Sequence, residues 1–189
     1  TTGSVAPYTD LEIKRLIDAG RMIGPKMFVT APYLEGRGSF TPVMHELKDA
    51  EDARRTVAYW ADEGATSFKA YMNITRDELR AAVEEAHKRG LKVTGHLCSI
   101  GFREAAEIGI DDLEHGLFVD SEFVADKKPD VCPAAGAVNA SLRQLDLNSP
   151  AVQETIRLIM AFSRCMVRVA VNPAARTRAI CTSESRPPG

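Results

Sequence analysis

Thr75-Arg-Asp-Glu-Leu-Arg-Ala-Ala-Val-Glu-Glu-Ala-His-Lys-Arg-Gly90, followed by Leu91-Lys-Val-Thr-Gly-His-Leu97, is one complete helix-and-strand unit. Thr75 and Glu78 stand at capping-box spacing, so hydroxyl and carboxylate can each take up an orphan backbone donor at the helix start. Leu79, Ala82, Val83 and Ala86 recur every three or four residues and mark a buried stripe. Lys88 and Arg89 complement the helix dipole, and Gly90 supplies the left-handed stop. The run from Leu91 to Leu97 then reads as a short buried strand with His96 at its end.

The same unit recurs on both sides. Upstream, Asp49 is placed to cap a helix whose apolar positions Ala53, Val57, Trp60 and Ala61 precede Gly64, and residues Ala65 to Met72 form a strand carrying Lys69. Downstream, a short helix from Phe102 to Ile108 ends at Gly109, and Ile110 to Leu117 carries His115. Lys69 lies five positions after its glycine, and His96 and His115 each lie six positions after theirs. Helix and strand alternate without hairpin signals, which implies a parallel sheet. In a (β/α) barrel the C-terminal strand ends carry the chemistry, so a lysine and two histidines would meet at one mouth.

Toward the N-terminus, Thr9-Asp-Leu-Glu12 predicts a capping box and a helix to about Ala19. Lys26 to Ala31 reads as a strand, and Pro32 to Lys48 as a long loop holding Glu35, His45 and Glu46. Beyond the third unit, Val124 to Leu147 reads as an extended excursion, and Ser149-Pro150 opens another helix. From Arg164 the periodicity is lost; Met166 to Val171 could form one strand, and the rest reads as disordered. We therefore divide the chain into a barrel-like domain over 1–163 and an atypical, disordered tail over 164–189.

The chain has 189 residues, whereas a complete eight-stranded barrel needs about 250. It opens on Thr1 in what reads as the end of a strand, so the expected fold is α/β, a partial TIM (β/α)8 barrel lacking its first and last strands. A formal net charge of −2 with mixed signs gives no basic stripe for nucleic acid. No apolar run reaches the roughly 18 residues that read as a membrane span. Cys98, Cys132, Cys165 and Cys181 are widely spaced, and the simplest expectation is four free thiols. An open barrel leaves two strand edges unpaired, which favours homo-oligomers.

Two consecutive strand-end histidines downstream of a strand-end lysine favour a metal site, and imidazoles with an oxygen donor suit zinc or a similar divalent ion. Tyr71 shares the face of Lys69 by the two-residue period and is a candidate to contact substrate. A solvated helix face accounts for His87, and a surface position for His45. Lys69 also permits a class I aldolase-type reading, as a Schiff-base lyase nucleophile, for which both histidines are superfluous. A catalytically inactive barrel fragment is the third reading.

Phe68-Lys-Ala-Tyr71, Val93-Thr-Gly-His96 and Asp112-Leu-Glu-His-Gly116 together resemble the amidohydrolase superfamily, in its imidazolonepropionase-like and Xaa-Pro dipeptidase-like branch. The resemblance runs from Thr1 to about Ser163. It implies a metal-dependent hydrolase of amide-type C–N bonds in peptide-like or N-acyl amino acid substrates. In it Lys69 would be carboxylated and bridge two divalent ions, with His96 and His115 binding one of them. The family's His-x-His pair and its eighth-strand aspartate have no counterpart here, so this chain alone is expected to be inactive.

Overall fold

Three parallel strands, β1 (Ser67–Ala70), β2 (Lys92–Gly95) and β3 (Asp112–Leu113), form an open sheet in the order β1-β2-β3. The computed structural model describes residues 1 and 3–167. Six helices accompany the sheet: α1 (Tyr8–Asp18), α2 (Ala50–Asp62), α3 (Arg76–Lys88), α4 (Phe102–Ile108), α5 (Ala135–Arg143) and α6 (Pro150–Val167). The register sets Lys69 beside Thr94, and Thr94 beside Asp112. Helices α3 and α4 connect the strands in turn, the alternation that the sequence predicts.

A further extended segment lies against β1. Thr30 and Leu34 form parallel bridges with Ser67 and Ala70, and the Leu34 and Tyr71 amides donate to Lys69 and Leu34 carbonyls at 2.9 Å each. This pairing extends three residues beyond the expected strand end at Ala31. The strands are also shorter than the apolar runs suggest. Residues 114–117 leave β3 at once, with Gly116–Val119 forming a 3-10 turn.

Helix punctuation follows side-chain chemistry at most sites. The Asp52 amide donates to Asp49 Oδ1 at 2.8 Å, and both capping-box bonds of Thr75 and Glu78 form, at 3.3 and 2.8 Å. Gly64, Gly90 and Gly109 have φ of 98°, 71° and 101°, where a side chain would be strained. The expected box at Thr9 does not form: Pro7 occupies the N-cap position, α1 begins at Tyr8, and the threonine is already inside the helix. Ser149 does cap α6, its Oγ accepting from the Val152 amide at 3.4 Å.

The core gathers Leu34, Val57, Phe68, Leu79, Val93, Leu97, Ile100 and Phe102, all fully buried between sheet and helices. The excursion after β3 is more ordered than its composition suggests. It contains α5, whose Val138 is buried, and it is fastened by a disulfide between Cys98 and Cys132. The expectation of free thiols is thus corrected for these two residues. They are 34 positions apart, and only the return of the excursion to the end of β2 brings them together. Helix α6 continues through Val167, so no strand begins at Met166; residues 168–189, which include Cys181 and most of the expected tail, lie outside the described residues. Among the described residues no helix is long and apolar enough to cross a membrane.

Two stability outcomes follow. Closing a 34-residue separation removes chain entropy from the unfolded state. The Cys132→Ser variant should therefore lose about 3–4 kcal/mol in denaturant unfolding, and reducing the wild type should lower its midpoint in the same direction. Asp120 is buried, with Oδ1 accepting from the Phe102 and Glu122 amides at 3.3 and 3.0 Å and Oδ2 unpartnered among the described residues. Burial pushes its carboxyl from 3.8 up to about 6. Well below pH 3.8 both folded and unfolded chains hold this proton. As pH rises from about 4 to 6 the unfolded chain ionises first and stability falls, leaving a full cost above pH 6 of about 3 kcal/mol at most. Asp120→Asn should flatten that pH window and be at least as stable as the wild type at pH 8, as urea unfolding at pH 4, 6 and 8 would show.

Candidate functional site at the strand ends

The register decides which side chains share a face. Residues paired laterally in a parallel sheet point the same way, and the period along each strand is two. Lys69, Thr94 and Asp112 thus form one row, and Tyr71, His96 and Glu114 form the next toward the C-terminal ends. Glu114 consequently meets Lys69, their Oε2 and Nζ 2.5 Å apart, while its Oε1 accepts from the Thr94 hydroxyl at 2.8 Å. Lys69 is nearly buried and also lies over the Tyr33 ring, 5.7 Å from its centroid.

Strict alternation would send His115 to the opposite face. Its backbone instead adopts φ 66°, capping the 3-10 turn in the left-handed region, which is uncommon for residues other than Gly and which Asn, Asp and His enter most often. That turn carries the imidazole back over the strand ends, where its ring centroid is 4.5 Å from that of His96. A non-glycine residue held in this region next to other polar strand-end groups is the kind of local strain that collects at functional sites.

Tyr71 stands beside His96 with ring centroids 5.1 Å apart, and Tyr33 stacks on Tyr71 at 4.7 Å. All four residues named from the sequence, Lys69, Tyr71, His96 and His115, therefore lie in one connected cluster. Burial lowers the His96 pKa, with the neighbouring His115 and Lys69 acting in the same direction and Glu114 against it. Burial likewise raises that of Tyr71, helped by Tyr33, Glu35 and Glu114.

Two carboxylates were not recognised as part of this region. Glu114 directly precedes His115, and counting the two-residue period from Lys69 across the register would have found it. Glu35 is fully buried; its Oε1 accepts from the Asn73 and Gly36 amides at 2.7 and 3.0 Å, and Oε2 has no partner among the described residues. It ties the loop after Leu34 to the loop after β1. A Cβ at Gly36 would fall 2.0 Å from the Asn73 carbonyl oxygen, so only glycine permits this approach. His87 bonds Asp111 at 2.8 Å by the N-terminal end of β3, and His45 lies near Asp52; neither joins the cluster.

In donor chemistry the cluster suits a divalent ion, since two adjacent imidazoles are borderline ligands and His96 is biased toward its neutral, lone-pair-bearing form. It is an incomplete set. No group of three or more His, Cys, Asp or Glu side chains among the described residues is disposed to hold a metal ion.

No family model matches the chain, and no curated protein matches it. Solved structures do. A protein from Bifidobacterium longum described as a prolidase is 28% identical with a TM-score of 0.52, over 61% of this chain and 31% of its own. A Xaa-Pro dipeptidase with bound methionine in its active site is 18% identical at TM-score 0.52, over 85% and 51%. An amidohydrolase is 21% identical at 0.50, over 90% and 51%. The chain thus spans from under a third to about half of the length of these structures. Over the matched residues the chain is similar in fold to these three structures, and at 28% identity it is similar in sequence to the one described as a prolidase.

Proposed function

We propose that this chain carries part of a (β/α)8 barrel, within residues 1–163, from a metal-dependent hydrolase of amide-type C–N bonds. Its substrates would be peptide-like compounds or N-acyl amino acids. The observation that carries this reading is the meeting of His96 and His115, ring centroids 4.5 Å apart, beside Lys69 at adjoining strand ends. Kinship with hydrolases named for cleaving amide bonds supports it.

In this reading His96 and His115 would hold a divalent ion, zinc or a close equivalent, and Lys69, once carboxylated, would add an anionic oxygen donor beside them. Such an ion supplies Lewis acidity, polarising a carbonyl and acidifying water. Carboxylation joins carbon dioxide to the unprotonated Nζ of Lys69, forming an N–C bond and releasing a proton. The carbamate so formed is an anion that Glu114 would repel, so the 2.5 Å Lys69–Glu114 contact has to give way. Glu114 can then turn toward His115, whose Nε2 is already 3.6 Å from Oε2. Tyr71 retains its phenolic proton at neutral pH and is placed to donate it in a hydrogen bond to a substrate carbonyl. The Schiff-base reading leaves the two imidazoles at the same mouth without a role.

Zinc titration in bicarbonate buffer, followed calorimetrically, tests the assignment. The wild type should bind, and His96→Ala and His115→Ala should each weaken binding by more than about tenfold. Zinc affinity unchanged by both substitutions would overturn the assignment.

A further inference from the structure

Beside His96 lies a hollow of about 180 Å³ that the metal chemistry does not use. Its walls are Met72, Leu97, Phe118, Val138 and the Cys98–Cys132 disulfide, and among the described residues no Asp, Glu, Lys or Arg side chain borders it. Leu97 and Val138 are buried parts of the core, whereas Phe118 is 64% exposed at the rim. The hollow is therefore built on fixed side chains and has one unsatisfied apolar edge. Its far wall belongs to α5, and the disulfide that anchors the excursion to the end of β2 fixes that wall against His96. By contrast, the hollow of about 420 Å³ bordered by Arg37, Lys48, Asp77 and Asp130 is ringed with charge.

We propose that this hollow seats one uncharged apolar side chain of the substrate, of leucyl, methionyl or benzyl size, next to the amide to be cleaved. The inference rests on the hydrolase reading for the word substrate, but the seat itself stands on the lining and its volume. A dry cavity of about 150 Å³ lined by apolar side chains accommodates benzene, so the space matches a benzyl group or a branched aliphatic one. A charged side chain placed there would lose its hydration without gaining a partner. A group in this hollow lies against the His96 imidazole, which also lines it, and its backbone amide would then emerge at the strand ends beside Tyr71 and His115.

The test is binding rather than turnover. The oxidised full chain, kept metal-free with a chelator, is titrated by NMR with the N-acetyl amides of glycine, alanine, leucine, methionine, phenylalanine and lysine. Leucine, methionine and phenylalanine amides should bind about tenfold or more tightly than the glycine and lysine amides. Ala135→Trp fills the hollow from an exposed position on α5 and should abolish that preference, as should Ala135→Lys, which brings in a charge. His115→Ala should weaken zinc binding and keep the apolar preference, because His115 does not line the hollow, and this separates failure of the metal assignment from failure of this one. Equal affinity across the series, no saturable binding by any member, or a preference untouched by both Ala135 variants would overturn the proposal.

Discussion

The hydrogen-bonded register that sets Lys69 beside Thr94 and Thr94 beside Asp112 governs everything at the C-terminal edge of the sheet. Because side chains alternate along a strand and align across parallel neighbours, this one register places Lys69 and Glu114 within ion-pair distance and aims Tyr71 and His96 at the same opening. A slip of one residue in any strand would turn its functional side chain into the core or toward the helices. The core enforces the register: Phe68, Ala70 and Val93 are fully buried, and a slip would bring polar neighbours into their places.

Two departures from regular structure complete the opening. His115 leaves the strand pattern through a left-handed backbone, and without that turn its ring would face away from His96. Glu35 spends a buried carboxylate on two backbone amides and so holds the Gly36 and Asn73 loops together behind Tyr71. Burying a carboxylate with one oxygen unpartnered is costly, and burial raises its pKa. Both features sit at the C-terminal edge of the sheet, where the lysine and histidines meet.

Much of this was legible in the sequence because local chemistry and tertiary packing agree there. The caps at Asp49 and Thr75, the glycines at 64, 90 and 109, and the parallel helix-strand order are short-range features, and each is present. Two of the misses have a long-range cause: Cys98 and Cys132 become partners only when the excursion folds back, and α5 is stabilised by burying Val138 at a distance in sequence. The miss at Thr9 is local, since the helix starts at Tyr8 with Pro7 as its N-cap. Glu114 was hidden by its neighbour, since a strand-end histidine draws the eye, and alternation would have assigned the two residues to opposite faces.

The most direct examination of the account is a crystal structure of the protein grown with zinc and bicarbonate, with anomalous diffraction collected at the zinc edge. The account predicts an anomalous peak about 2.0–2.1 Å from a nitrogen of both His96 and His115, with added density on Lys69 Nζ and Glu114 swung away from it. A zinc peak elsewhere, with Lys69 still paired to Glu114 and both imidazoles free, would contradict it.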